Sequence, residues 1–287
     1  MRGSFNDKEW EILGQRIKDK KCTPFLGAGA CYGVLPLGAD IAKEWAKEYG
    51  YPLADSSNLI AVAQFVALMT DPMVPKDKIV AMFKAINKSP DYDNTSEPHR
   101  VLAGLPLPIY ITTNYDNFMS QALIKQDKDA RQELCRWNSA VRDNPSAFDN
   151  GFVPTAANPV VFHLHGYNAL SESLVLTEDD YLDFLVNISR DEKLLPAPIQ
   201  KAFTGTSLLF VGYSIADWNF RVLLRSLARF LESGLRRTHF AAMKPPTSSE
   251  DMKQKAQDYL SKYYENIDVR VYWGTATDFV EDLRKHL

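Results

Sequence analysis

Four short apolar runs, each ending in glycine or a small polar residue, constrain the fold of this chain more than any other feature. They are "TPFLGAGA" from Thr23, "ITTNYDNF" from Ile111, "VVFHLHGYN" from Val160 and "LLFVGYSIADWNF" from Leu208. Runs this continuous in apolar residues are what strands buried on both faces require, and such strands belong to parallel sheets covered by helices. "RTHFAAMK" and "IDVRVYWG" are two further strand candidates, and amphipathic segments alternate with all six. The pattern predicts an α/β fold: a Rossmann-like, mostly parallel sheet with helices on both faces. Ligands of open α/β sheets bind beyond the carboxyl ends of the strands. The four polar, glycine-bearing ends are therefore expected along one rim.

The connections are uneven. From about residue 40 to 105 the chain reads as helix after helix, more than one crossover needs. In "ADIAKEWAKEYG", Ile41, Trp45 and Tyr49 share a face and Gly50 can stop the helix. "NLIAVAQFVALM" and "DKIVAMFKAI" follow the same period. This predicts a helical insert (40–105) within a single domain spanning 1–287. Residues 125–158 are polar, and "RDNPSAFDNG" and "PTAANP" read as loops near the sheet edge. Near the C-terminus, Asp217 can cap a helix with Phe220, Leu223, Leu224, Leu227 and Leu231 on one face. Arg221, Arg225 and Arg229 form a stripe on another, read as a solvated face.

At 287 residues and 45% hydrophobic content the chain can bury a sizeable core. A net charge of −3 points to neither nucleic acid nor an acidic membrane as partner. The three cysteines, Cys22, Cys31 and Cys135, include no C-x-x-C pair, which argues against a structural zinc site or a disulfide framework. The cytoplasm is the expected compartment. No secretory leader opens the sequence and no 18-residue apolar stretch exists to span a membrane.

The strand ends carry the chemistry. Glycine at 27 and 29 lets the backbone turn tightly, and the amides of Gly27-Ala28-Gly29 can face a pyrophosphate. Tyr32 occupies the position of the third glycine of a dinucleotide fingerprint, so this is not a dehydrogenase turn, and a plain tight turn is the alternative. Asn114 can hold a water or a ribose hydroxyl. Asp116 can accept from a ligand, or simply cap the helix that follows. His163 and His165 point to one face if the strand runs through both. His163 reads as a hydrogen-bonded core residue. His165, beside Gly166, lies where proton transfer near neutral pH is useful. A metal site would need a third ligand, which is not at hand locally. Gly212 permits close backbone approach, and Ser214 can bond a ribose or a phosphate.

The order G-A-G, T-x-N-x-D, H-G and G-x-S resembles the sirtuin family, above all the divergent sirtuin-like domains of bacterial antiphage defence proteins. The resemblance runs from about Thr23 to Phe279. It implies that Gly27, Ala28 and Gly29 form the pyrophosphate loop. Thr113, Asn114 and Asp116 take the nicotinamide-ribose end, His165 is the catalytic histidine, and Gly212 and Ser214 hold the adenosine ribose. "GVLPLG", with Pro36, stands where sirtuins carry G-I-P-D-F-R; Leu37-Gly38-Ala39 replace the D-F-R, and Cys31 replaces a serine. The zinc ribbon of the deacylases is missing, which argues against deacylation. The resemblance thus implies an NAD glycohydrolase that releases nicotinamide and ADP-ribose, with NAD as substrate, Asn114, His165 and Asp116 as catalytic residues and no metal. As an antiphage effector it would deplete NAD. It would work as a homo-oligomer or with a separate sensor, such as an Argonaute-like protein or an ATPase, without touching nucleic acid itself. The alternatives are an NAD- or ADP-ribose-binding module without turnover, an NAD-dependent deacylase or ADP-ribosyltransferase, and an assembly subunit.

Overall fold

The computed structural model describes residues 5–86, 88–214, 237–244 and 250–287. Seven strands form its sheet: β1 (Cys22–Leu26), β2 (Ile109–Thr112), β3 (Arg131–Leu134), β4 (Val160–His163), β5 (Ser207–Ser214), β6 (His239–Lys244) and β7 (Val269–Trp273). Their order is β3-β4-β2-β1-β5-β6-β7, and every described pair is parallel. From β1 the chain moves outward through β2 to β4 and β3. It then returns past β1 to lay down β5, β6 and β7 on the other side. Phe25 of β1 pairs with Ile111 of β2 on one flank and Phe210 of β5 on the other. The topological switch therefore lies at the carboxyl end of β1, where such sheets open a crevice.

Strand alternation sorts the apolar runs onto two faces. Phe25, Ile111, Phe162 and Phe210 share a core with Phe184 of α7 (Glu178–Arg190), Phe203 of α8 (Ala197–Gly205) and Tyr264 of α9 (Glu250–Glu265). Leu26, Tyr110, Val161 and Val211 face the other way. They pack on Trp10 and Leu13 of α1 (Asp7–Lys18), Leu102 of α5 (Pro98–Ala103), Leu123 of α6 (Phe118–Ile124) and Phe279 of α10 (Ala276–His286). Both faces are covered, which is why these strands read as nearly unbroken apolar runs.

The helices start and stop on local chemistry. Asn6 and Glu9 form a reciprocal capping box at α1, and Thr275 and Asp278 do the same at α10. Gly50, at φ +70°, ends α2 (Gly38–Tyr49), whose Ile41 and Trp45 are buried. Together with α3 (Leu59–Met69) and α4 (Val74–Ala85), α2 builds a third core cluster, which Leu174 and Leu176 complete. The short α5 instead joins the α1/α6/α10 layer under the sheet.

The cap of α7 also ties it to this third cluster. Asp180 accepts from Thr177 N at 2.9 Å and Leu176 N at 3.1 Å, while Lys76 Nζ of α4 donates to it at 2.7 Å. Both partners are largely buried. Asp180→Ala is expected to destabilise the protein by about 3–5 kcal/mol, because it strands a buried ammonium and removes a cap. Urea denaturation of the variant checks this, and a loss below about 1 kcal/mol would mean that the pair behaves as a solvated surface bridge.

The polar stretch 125–158 does more than skirt the sheet. Its Arg131–Leu134 segment is the edge strand β3, parallel to β4. Edge position explains the sequence: Arg131 and Gln132 stay exposed, so no apolar run was needed. The helix expected after Asp217, with its leucine face and arginine stripe, lies outside the described residues. Among the described residues no single helix is long and apolar enough to cross a membrane. The apolar pair α3 and α4 is bent by 119° between its members.

Candidate active site

The crevice at the end of β1 is built from backbone. After Leu26 the chain makes one 3₁₀ turn, Ala28–Cys31, entered through Gly27. Gly27 N donates to Val211 O at 2.9 Å, and Ala30 N donates to Gly27 O at 2.9 Å. Gly212 interrupts the β5–β6 register with a φ of +84°. A Cβ there would collide with Ala30 N and come within 2.7 Å of Gly27 O, while one on Gly29 would stand 2.8 Å from Gly212 O. The two glycine-bearing ends therefore pack main chain against main chain. Gly212→Ala is expected to cost more than about 2 kcal/mol, since the φ and both walls are fixed by backbone. A melting temperature unchanged from wild type would contradict this packing.

The end of β2 docks onto the same turn. Thr113 N donates to Leu26 O at 3.1 Å. Thr112 Oγ1 accepts from Asn114 N at 2.9 Å, which turns the chain out of the strand. Asn114 Nδ2 reaches Gly27 O at 3.1 Å and Cys31 Sγ at 3.3 Å. Its carboxamide is thus held with Oδ1 as the atom available to a ligand. Asp116 is buried. Its Oδ1 accepts from Phe118 N at 2.9 Å at the start of α6, and its Oδ2 accepts from Cys31 Sγ at 3.2 Å. The N-cap of α6 is Asn117 rather than Asp116, and Asp116 supports the helix start only from one residue earlier, through the Phe118 amide. Each carboxylate oxygen still has a lone pair to offer.

The two histidines part company. His163 is buried, with Nδ1 3.3 Å from Asn114 O and Nε2 3.2 Å from Gln132 Oε1. Burial pushes its pKa down to about 4, against the upward pull of the Asn114 carbonyl and Asp116. His165 lies beyond the strand, and its ring contacts Tyr181 and Phe184 of α7 edge-on at 5.1 and 4.9 Å. The common face expected of His163 and His165 ends with the strand at His163. The chain turns through Gly166, at φ +89°, where a Cβ would strike the Ser173 backbone. His165 Nδ1 is 3.4 Å from Tyr181 Oη, and its buried Nε2 has no hydrogen-bond partner among the described residues. Burial alone takes its pKa down to about 3, so the ring is neutral at neutral pH. Among the described residues no hydrogen bond joins His165 to Asn114 or Asp116.

The remaining positions divide. Thr113 Oγ1 and Tyr213 Oη lie 2.8 Å apart, and Tyr213 Oη donates to Leu26 O at 2.9 Å. Tyr213 also closes over Gly27, a role the sequence reading did not assign; its place inside "VGYS" was the available signal. Ala28 is exposed at the mouth of the turn and Pro36 is exposed in the loop leading to α2. The side chain of Ser214 lies outside the described residues. A cavity of about 420 Å³ opens beside Asp116, lined also by Leu35, Phe83, Lys84, Gln121 and Asn168. Gly27, Gly29, Thr113, Asn114, Asp116 and Gly212 therefore converge, while His165 stands apart on the α7 side.

The SIR2-like domain family matches residues 108–269, which is more than half of the chain. Among curated proteins, the chain is similar to the NAD(+) hydrolase ThsA of Bacillus cereus (strain MSX-D12), 23% identical over 250 residues, covering 85% of this chain and 48% of that protein. The NAD(+) hydrolase ThsA of Enterococcus faecium is 26% identical over 207 residues, covering 66% of this chain and 40% of that protein. Defense-associated sirtuin 2 of Bacillus subtilis is 27% identical over 177 residues, covering 60% of this chain and 15% of that protein. The chain spans about half the length, or less, of the curated relatives it matches. A parallel sheet with its switch at β1, a glycine turn packed against the ends of β2 and β5, and the family match agree: the chain belongs to the SIR2-like domain family.

Proposed function

We propose that this chain hydrolyses NAD at the nicotinamide–ribose bond. The observation that carries the reading is the Asn114 carboxamide, pinned by Gly27 O and Cys31 Sγ, whose thiol also bonds Asp116 at the cavity wall. Relatives named NAD(+) hydrolase support the substrate. Nicotinamide leaves from a cationic nitrogen, so the transition state is oxocarbenium-like and needs no covalent nucleophile, as in glycoside cleavage. Asn114 Oδ1 accepts from the attacking water and turns its lone pair toward the anomeric carbon. Asp116 accepts from the carboxamide of the leaving group. With the Gly27 amide held by Val211 O, the amides of Ala28 and Gly29 face the pyrophosphate, and this remote binding is spent on distorting the reacting end. His165, neutral at neutral pH, reaches a ribose hydroxyl only when its buried Nε2 is uncovered from the α7 rings.

By analogy with Defense-associated sirtuin 2, and as the sirtuin-like resemblance implies, the output is NAD depletion in antiphage defence, through a homo-oligomer or an activating partner. Nicotinamide release from NAD by the purified chain, with no peptide or acceptor added, tests the reaction. Saturable NAD binding with no release would replace the hydrolase by a binding module. That second reading is favoured by the seat of His165 among the α7 rings, away from Asn114.

A further inference from the structure

We propose that Cys31 is a positioning residue for Asn114 and Asp116, hydrogen-bonded to both and packed against the buried Glu97–His99 pair. This rests on the hydrolase reading of the site. Cys31, Glu97, His99 and Asp116 are all buried. Glu97 Oε2 accepts from Arg100 N at 2.6 Å, which fixes its carboxylate at the start of α5. Its Oε1 lies 2.7 Å from His99 Nδ1, and a carboxylate can only accept, so Nδ1 carries a proton. His99 Nε2 then faces Cys31 Sγ at 3.9 Å. The thiol donates to Asp116 Oδ2 at 3.2 Å and accepts from Asn114 Nδ2 at 3.3 Å. One sulfur thus touches both candidate catalytic side chains and packs against the His99 ring of α5.

The thiol is suited to this and to little else. Burial, then the charge of Asp116, raises its pKa well above the ordinary cysteine value, so it stays S–H and is no nucleophile. Asp116 has Phe118 N on one oxygen and the thiol on the other. Without the thiol, the second oxygen loses its donor and Asn114 loses one of its two anchors. A small rotation of either group is costly where geometry sets the rate. The same atoms, Sγ, Nε2 and a carboxylate oxygen, lie within 4.8 Å of one another, a donor set that would suit a soft divalent cation. Sγ and the carboxylate oxygen already share the thiol proton, which favours the hydrogen-bonded thiol over an ion, while Nε2, whose ring proton is on Nδ1, meets the sulfur with no proton between them.

The test uses the whole chain and the variants Cys31→Ala and Cys31→Ser, with melting temperatures and zinc content measured for each. In an active wild type, Cys31→Ala is expected to lower kcat roughly 100-fold with little change in KM. Cys31→Ser, whose hydroxyl also donates, should restore most of it. The Cys31 S–H infrared band, assigned by difference from Cys31→Ala, should lie at a hydrogen-bonded frequency and move in Asp116→Asn. An unchanged kcat in folded Cys31→Ala, a thiol band at the unbonded frequency, or one tightly held zinc per chain would each overturn the proposal. A wild type that neither binds nor cleaves NAD defeats the hydrolase reading instead, and the infrared band still judges the thiol's hydrogen bond on its own.

Discussion

Asn114→Ala is expected to lower nicotinamide release from NAD by at least about 100-fold while the protein stays folded. The effect follows from what the carboxamide does on each side. Nδ2 is spent on Gly27 O and Cys31 Sγ, which leaves Oδ1 as an acceptor of fixed direction. Alanine removes that acceptor without disturbing the sheet. Gly27 O keeps its bond from Ala30 N, so the structural loss is two partly buried hydrogen bonds, about 2 kcal/mol. Asn114→Asp makes the contrast. It keeps the shape but sets a carboxylate oxygen against Gly27 O, so it should be as inactive as alanine and less stable. Nicotinamide release and melting temperature, measured side by side, check both. Asn114→Ala within threefold of an active wild type would remove Asn114 from the reaction.

Acidification is expected to unfold this protein well before most carboxylates titrate. Three buried histidines have depressed values: His163 about 4, His165 about 3 and His239 about 4, each chiefly through burial. His239 Nδ1 also accepts from Leu208 N at 3.0 Å, so a proton there would set donor against donor. In the unfolded chain these groups titrate near about 6.5. Their contribution to stability is therefore fully present above that value and is lost as the pH falls toward the folded values. Near pH 5 the unfolded state holds up to three more protons than the native state, which gives a slope of about 4 kcal/mol per pH unit. Integrated from pH 7 to 5 this removes about 5–6 kcal/mol, a large share of the roughly 5–15 kcal/mol that ordinarily holds a domain folded. Urea denaturation at several values between pH 7 and 5 checks the slope. His165→Phe, which keeps the aromatic packing with Phe184, should reduce it by about one proton's worth. A stability that is flat over this range would mean the rings are protonated in the folded state.

Much of the architecture was legible because burial writes itself into composition. The six apolar runs appear as β1, β2, β4, β5, β6 and β7, and the period of "ADIAKEWAKEYG" with its terminal glycine reappears as α2. β3 was hidden because an edge strand with exposed Arg131 and Gln132 has no apolar signature. The third core cluster was equally hidden, since Leu174 and Leu176 reach α2, α3 and α4 from more than 85 residues away in the sequence.

The sequence by itself determined the parallel α/β class, the helix caps and the glycine turns, because each depends on residues within one run or one turn of chain. Only the tertiary structure decided what the polar residues touch. It packed Gly29 against Gly212, gave Asp116 to both Phe118 N and Cys31, and brought His99 to the thiol from the start of α5. It also sent His163 to the Asn114 carbonyl and His165 to the rings of α7, although the two stand two residues apart. Periodicity assigns a side chain to a face only while the strand lasts. Beyond Gly166 the path is set by what the turn packs against, and that belongs to the fold as a whole.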